Sequence, residues 1–586
     1  MKQEHGLTSL YTRWGKEIGS NLPHAEYPRP QLKREEWVCL NGKWQYAIRQ
    51  KGEALEDYDG EILVPFSPEA LLSGVLREVK PQDVLFYKKV FSYPAKVEGM
   101  RTLLHFGAVD QSCEVFLNGV SLGTHEGGYW PFSFEVTDAL QIGENVLTLR
   151  VTDDADVGIE AYGKQSSKRG GIWYTPQSGI WQTVWLETVP ERYVSSLHIT
   201  PLYDEAAVEI SVSFASNAPE TVRVRVCDGE TEVVNGEYPT PCFRIPLPNF
   251  KSWSPESPFL YTLQVEAGED RVKSYFGMRK FSVLKDQNGH ARFALNNKPL
   301  FMSGLLDQGY WSDGMYTPPS DEAMVWEIQT LKELGFNMLR KHIKIEPLRF
   351  YYHCDRLGML LWQDFVSGGT PYNPLVIYAL PQTGARLNDR KYKLFGRQNE
   401  KGRAAYERDM ARTVELLKNT VSLAVWVPFN EGWGQFDAKR ITEKLKLMDA
   451  SRLIDHASGY YDQNAGDITG PHVYFKPYRI KKDPLRRVRV LSEFGGYSLP
   501  TEGHMASKKL FGYRLYKSSR ELNAAYEKLY LNEVLPAVKK GLCATVYTQV
   551  SDVEDEINGL FTYDREALKL DPEMVKEINR RLLEEL

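Results

Sequence analysis

Cysteine is scarce in this chain, and what there is lies scattered. Cys39, Cys113, Cys227, Cys242, Cys354 and Cys543 fall mostly inside apolar strand- or helix-like segments, with no spacing that suggests a disulfide frame or a zinc site. They read as buried free thiols in a reducing, cytoplasmic compartment. Long hydrophobic runs are lacking too, so no membrane-spanning segment is expected. The start, Met1-Lys2-Gln3-Glu4-His5-Gly6, has no apolar stretch, so no signal peptide is expected. Charge of one sign is missing: the net charge is −5 with both signs interspersed, which leaves no nucleic-acid footprint. No spacing supports a metal cluster or an activated Ser or Cys, the equipment of amide or phosphate-ester hydrolysis. No metal and no cofactor are expected. Aromatic residues, by contrast, are plentiful, with 13 Trp and 33 Tyr. Rings stack on the apolar face of a pyranose, and they equally fill a large β-rich core. The length implies two to four domains.

From the start to about residue 190 the sequence reads as short strands broken by turns. Trp37 to Tyr46 reads as strand, Asn41-Gly42 turn, strand, and Val115 to Gly123 as a second hairpin about Asn118-Gly119. Tyr129 to Val136 and Asn145 to Val151 alternate apolar and polar residues. A jelly-roll β-sandwich over 1–190 follows. Gly170 to Trp181 is a rigid aromatic loop, either sandwich core or a wall lent to a site on the next domain. A smaller β unit over 191–285 fits an immunoglobulin-like sandwich without its Cys–Trp–Cys hallmark. Beyond Asn296-Asn297-Lys298-Pro299 strands alternate with helices, as in a (β/α)8 barrel over 286–586.

Two stretches of that barrel share a grammar. Ala424 to Phe429 is an apolar run ending in Asn430-Glu431-Gly432, and Val488 to Leu491 ends in Ser492-Glu493-Phe494-Gly495. A carboxylate at the exit of a buried strand is costly unless it has a task. Glu431 follows the fourth strand and Glu493 ends the seventh, so both fall on the C-terminal face, where barrel active sites lie. A facing pair of carboxylates is the equipment of glycoside hydrolysis. The plain alternative is that each Glu caps a strand or pairs with an Arg.

With these residues in view the chain resembles glycoside hydrolase family 2, which contains β-galactosidases, β-glucuronidases and β-mannosidases. Trp37 to Trp44, Phe106-Gly107-Ala108-Val109-Asp110 and His125 to Tyr129 resemble its sugar-binding sandwich. Trp253-Ser254-Pro255-Glu256 resembles its immunoglobulin-like domain, Gly335 to Arg340 and Phe350 to Trp362 its second and third barrel strands, and Asn430-Glu431 and Ser492 to Gly495 its catalytic motifs. The resemblance implies an exo-acting, retaining β-glycosidase, with Glu431 as acid/base and Glu493 as nucleophile. It implies Asn430 on the sugar 2-hydroxyl and Arg340 as the cation keeping Glu493 ionised. His342, Trp433, His472, Tyr474 and Gln549 are further candidate substrate-binding residues.

Three departures bear on the substrate. The Asn-x-Lys that grips a uronic acid in glucuronide-cleaving members is replaced by an acidic run, Val550 to Phe561, without Lys; acids there would repel a uronate. The Glu-x-His of the magnesium-binding β-galactosidases is replaced by Trp362-Gln363-Asp364. Phe494 stands where a Tyr is frequent, leaving its hydroxyl to another residue such as Tyr474. The first barrel loop is unfamiliar, and Asp307, Gln308 and Trp311 are candidates for the terminal-sugar pocket. A neutral β-hexoside, galactoside first, is the expected substrate. A β-glucuronide, a β-mannoside and a furanoside remain open, as does an inactive carbohydrate-binding protein on the same scaffold. The expected partner is a glycoside or oligosaccharide; a homo-oligomer is left open.

Overall fold

In the computed structural model, residues 6–19, 22–94, 97–216, 221–369 and 371–585 are described. Residues 1–5, on which the reading of the N-terminus rests, lie outside them. Among the described residues no helix is long and apolar enough to cross a membrane. All six cysteines are free, four buried, Cys39 half-buried and Cys242 exposed on its strand.

The first unit is a β-sandwich. One sheet orders Trp37–Cys39, Val184–Pro190, Met100–Phe106 and Phe132–Glu135. The other orders Gly60–Val64, Gly42–Gln50, Asp83–Tyr93, Gly143–Thr152, Ser112–Leu117 and Val120–Glu126. Alternating side chains such as Leu147, Leu149 and Val151 meet Leu104, Phe106 and Leu186 in one core. The hairpin expected at Asn118-Gly119 forms, with φ of 52° and 80° at the turn. The one expected at Asn41-Gly42 does not: Trp37–Cys39 pairs with Val184–Pro190, whereas Gly42–Gln50 starts the other sheet. The cause is the Asn41 side chain. Its amide donates to the Pro23 carbonyl and its oxygen accepts from Val184 N–H, which makes the turn a corner between sheets.

The second unit is a seven-stranded sandwich of two antiparallel sheets, three strands facing four, around Val208, Ile210, Val224, Leu263 and Val265. Beyond it, the ribbon Phe281–Lys285, Ala291–Leu295 and Lys298–Pro299 lays Phe293 against Trp362 under the next unit.

The third unit is a parallel barrel. Its strands are Met302–Asp307, Met338–Lys341, Leu360–Asp364, Leu423–Val427, Leu453–Ile454, a sixth in two pieces (Ile468–Thr469 and His472–Val473), Val488–Gly495 and Leu542–Thr548. The ladder runs from the fifth back to the first and on through the eighth and seventh to the sixth. A bridge between Gly459 and Pro471 joins the fifth to the sixth. The first, fourth and eighth strands are buried end to end, as expected where helices cover a parallel sheet. Helix Asp321–Glu333 starts at Ser320, whose hydroxyl accepts from Ala323 N–H. The single helix expected over Ser519 to Lys540 is interrupted by a π turn at Tyr530–Val534, just before Pro536, which has no N–H to give. A last helix, Pro572–Glu584, closes the ring: Asn579 accepts from the Ser303 hydroxyl and donates to Leu334 O.

Candidate active site

Glu431 and Glu493 face each other at the C-terminal end of the barrel. His472 lies between them, and one side-chain atom from each of the three residues lies within 4.8 Å of the others. Glu493 is carried by the seventh strand. Glu431 sits one turn beyond the fourth, with φ of 51°, a region a non-glycine residue enters only under constraint. Its N–H is tied to Ser458 O at 3.0 Å and the following Gly432 has φ of 78°. The bend is therefore built in, and it aims the carboxyl back over the barrel mouth.

Arg340, at the end of the second strand, is fully buried and organises the floor. Its guanidinium donates to both oxygens of Asp364 at 2.9 and 3.0 Å, to Glu493 Oε1 at 3.1 Å, to Ser492 O at 3.0 Å and to Asn430 Oδ1 at 2.8 Å. A planar five-donor fork suits such a set, and so many acceptors offset the cost of burying the charge. His342 Nδ1 completes Asp364 at 2.8 Å. The Tyr474 hydroxyl, 2.6 Å from Glu493 Oε2 and 2.9 Å from Thr548 Oγ1, stands beside the Glu493 carboxyl while Phe494 packs away against Tyr530 and Tyr547. Tyr474 is held flat on Tyr513, ring centroids 3.7 Å apart.

Burial lifts Glu431 to about 7, against the opposing pull of Lys164 and Arg340. Burial also lifts Glu493, as does the neighbouring Glu431 charge, against the pull of a charged His472, of Arg340 and of the Tyr474 hydroxyl. His472 falls to about 4 on burial, so it is neutral at pH 7 and Arg340 and the Tyr474 hydroxyl are what favour the Glu493 anion there. His472 Nε2 faces Arg340 Nη1 at 3.5 Å, and a guanidinium can only donate. The imidazole proton is thereby placed on Nδ1, toward Glu431 Oε1 at 2.8 Å. Glu431, His472 and Glu493 are donors a metal could also use, but the Arg340 guanidinium already touches Glu493 and would repel a divalent cation.

Of the residues expected from sequence, the structure brings Glu431, Glu493, Asn430, Arg340, His342, His472 and Tyr474 into one cluster. Trp433 lies at its edge, 6.1 Å from the His342 ring. Gln308 donates to Gln549 at 2.7 Å, which donates to Asn558 at 2.8 Å; Asn558 in turn donates to Glu556 at 2.9 Å, forming a polar rail. Asp307 and Trp311 are not brought to the pair. Asp307 is committed to Lys341 at 2.6 Å, and Trp311 packs on Trp14 beneath the Arg565 guanidinium. Three of the four acids in the run at 550–561 are neutralised by cations, and the fourth, Glu556, accepts from the neutral Tyr174 and Asn558. Asp552 is paired with Lys569, and Glu554 and Asp555 with Arg169, which leaves Glu556 as the one acid of the run without a cation partner among the described residues.

Two residues of the cluster were not read from the sequence. Asp364, ending the third strand, has the same apolar-run-then-acid grammar as Glu431 and could have been found. Lys164 belongs to the first sandwich and could not. The loop carrying it is the one before the aromatic segment, and both reach over the barrel. Trp173 lies 5.1 Å from Trp433 and donates to the Tyr378 hydroxyl at 2.7 Å; Tyr174 donates to Glu556.

Comparison with known proteins agrees with this layout. Residues 75–179 match the glycosyl hydrolase 2 galactose-binding domain-like model, 192–279 the glycosyl hydrolases family 2 model and 287–568 the glycosyl hydrolases family 2 TIM barrel domain. The β-glucuronidase of Streptococcus agalactiae is 24% identical over 67% of this chain and 66% of its own length. The β-galactosidase of Thermoanaerobacter pseudethanolicus is 23% identical over 56% of this chain. The chain spans less than half the length of the first relatives it matches, 46% in that β-galactosidase and 40% in the one from Clostridium acetobutylicum. In fold, the β-D-glucuronidase of Dictyoglomus thermophilum superposes with a TM-score of 0.74 at 17% identity, covering 94% of this chain and 98% of that one. Fold and site thus define a sandwich–sandwich–barrel protein with paired carboxylates at the barrel mouth. The chain belongs to glycosyl hydrolases family 2.

Proposed function

We propose that this chain is a retaining, exo-acting β-glycosidase for neutral sugars, β-galactosides first. The observation that carries the retaining mechanism is the carboxylate pair. Oxygens of Glu431 and Glu493 lie within 4.8 Å, against about 5–5.5 Å between the carboxyls in retaining enzymes and 6.5–9.5 Å in inverting ones. Glu431, protonated up to about pH 7, gives its proton to the leaving oxygen. Glu493, held by Arg340 and Tyr474, attacks the anomeric carbon and forms a glycosyl-enzyme. Glu431, now ionised, takes a proton from the water that releases the sugar.

A neutral sugar is supported by the buried polar atoms the protein leaves unpaired. Asn430 Nδ2 and Trp433 Nε1 lack an acceptor, and Gln308 Oε1 lacks a donor. Hydroxyls, which both donate and accept, suit that mixture better than an anion. Relatives named β-galactosidase agree. A second reading, β-glucuronidase, has its own support in the Lys164 ammonium and in relatives of that name. Turnover of nitrophenyl β-galactoside, β-glucuronide, β-mannoside and furanosides by wild type and Glu493→Gln separates them. The galactoside is expected to lead and to fail in the variant; a larger kcat/KM on the glucuronide would overturn the preference. No turnover of any glycoside would leave a binding protein.

A further inference from the structure

Lys164 is the one basic side chain of the cluster without a committed partner. It is 4% exposed. Among the described residues its ammonium has no hydrogen bond or ion pair. It instead lies 4.8 Å from the Trp433 ring, 5.5 Å from Tyr174 and 5.7 Å from Trp173. Rings at that range attract a cation but use none of its three N–H donors. Glu556, the acid whose charge acts on it most, is already bonded to Tyr174 and Asn558. An ammonium so largely enclosed, with its donors left to little solvent, is costly unless something supplies acceptors.

The loop that carries Lys164 is fixed to the barrel by its backbone. The N–H groups of Tyr162 and Gly163 both donate to Ser367 O at 3.0 Å, and the Tyr162 hydroxyl donates to Gly369 O at 2.9 Å. Gly163 has φ of 64°, and a Cβ there would stand 2.8 Å from Ile343 O, so only glycine permits this approach. Gln165 is tied back to Asp110 of the sandwich at 2.9 Å. Lys164 is therefore aimed by two domains at once toward the space between Glu556, Glu431 and Glu493, the three carboxyls whose charge acts on it.

We propose that Lys164 is a substrate-contacting, specificity-determining residue, lent by the first sandwich, whose ammonium donates to an oxygen of the terminal sugar. This deepens the glycosidase reading and rests on it. The sugar supplies the missing acceptors, and the terminal-sugar pocket is complete only when the first sandwich is docked. A second consequence follows for Glu431. The groups facing it are Lys164, Arg340, His472, Glu493, Tyr474 and Tyr513; of these Lys164 and Arg340 pull its carboxyl down from the value burial imposes. Removing the Lys164 charge lets Glu431 rise, so the acid stays protonated to higher pH.

The test uses the full chain with Lys164→Met, which keeps the length of the side chain, and Lys164→Arg, which keeps the charge. On the best nitrophenyl glycoside, Lys164→Met is expected to lose about 10²-fold in kcat/KM, the scale of one donor in a preorganised site. Its alkaline kcat/KM limb should move to higher pH, while that of Lys164→Arg stays near wild type. Melting temperature should not fall in either. Wild-type kcat/KM with an unmoved limb in Lys164→Met would overturn the proposal. A loss confined to the glucuronide would leave the lysine as a sugar donor and overturn the galactoside preference instead. Should wild type turn over no glycoside, calorimetry with galactose and glucuronic acid decides. Weaker binding by Lys164→Met supports the donor role, and equal binding removes it.

Discussion

The two sandwiches meet opposite ends of the same barrel, and they do so differently. The second docks at the N-terminal ends of the strands. There Trp253, fully buried, donates to Asp355 O at 2.7 Å, Arg279 donates to Val421 O at 3.0 Å, and Pro255 lies against Gly358 so closely that a Cβ would meet its carbonyl at 2.5 Å. These contacts surround no carboxylate pair. The first sandwich docks at the C-terminal ends, through Ala161 and Gly368, Arg169 and Glu554, and Trp173 and Trp433. One domain braces the barrel; the other furnishes part of its mouth. Two β-sandwiches of one chain thus differ in consequence because a parallel barrel is polar in function: chemistry gathers at its C-terminal face.

Substitutions can break this contrast. The largest effect is expected at the barrel's own Glu493, the proposed nucleophile. Glu493→Ala should lose hydrolysis of every substrate to the detection limit, and azide should not restore retained product; near-native turnover would remove Glu493 from that role. Next is Glu431→Ala. A natural glycoside, whose alkoxide needs the proton, should lose about 10²–10⁴-fold, and a dinitrophenyl glycoside far less. Azide should speed turnover and give a β-glycosyl azide. Equal losses without azide rescue would leave Glu431 a structural carboxylate.

Trp253→Ala should cost about 3–5 kcal/mol of stability, the range for a large core aromatic, seen as a lower melting temperature. Below that temperature its pH–rate profile should match wild type. Trp173→Ala, half-buried at the mouth, should do the reverse and raise KM with little change in melting temperature. If both variants behaved alike, the contrast between the two ends would fail. The mildest manipulation is pH alone. Ionisation of Glu431 in the free enzyme should place the alkaline limb of kcat/KM near pH 7.

Much of this was legible in the sequence because a parallel barrel writes its strands as apolar runs and its working residues just beyond them. Asn430-Glu431 and Ser492-Glu493 announced themselves in that way. Arg340 was found at the end of its strand, although its bonds to Asp364 and Asn430 needed coordinates. Other features depended on distant partners. Asn41-Gly42 has the local chemistry of a hairpin, yet Asn41 is bonded to Val184 and Pro23, and those bonds decide the chain's path. The acidic run at 550–561 reads as uniformly anionic because Lys569 and Arg169, the counterions of Asp552, Glu554 and Asp555, lie elsewhere in the chain. Lys164 had no local signal at all: a lysine in a sandwich loop gains meaning only from the barrel it meets.

The proposed reaction passes through a covalent step at Glu493, and trapping tests it directly. Wild-type protein would be incubated with the 2-deoxy-2-fluoro dinitrophenyl glycoside of its best sugar. The fluorine destabilises the transition state of both steps, while the activated leaving group still lets the first proceed. Mass spectrometry of the digested protein should then show one glycosyl adduct, on the peptide containing Glu493. An adduct on Glu431, or turnover of the parent glycoside with inverted product and no adduct, would contradict it.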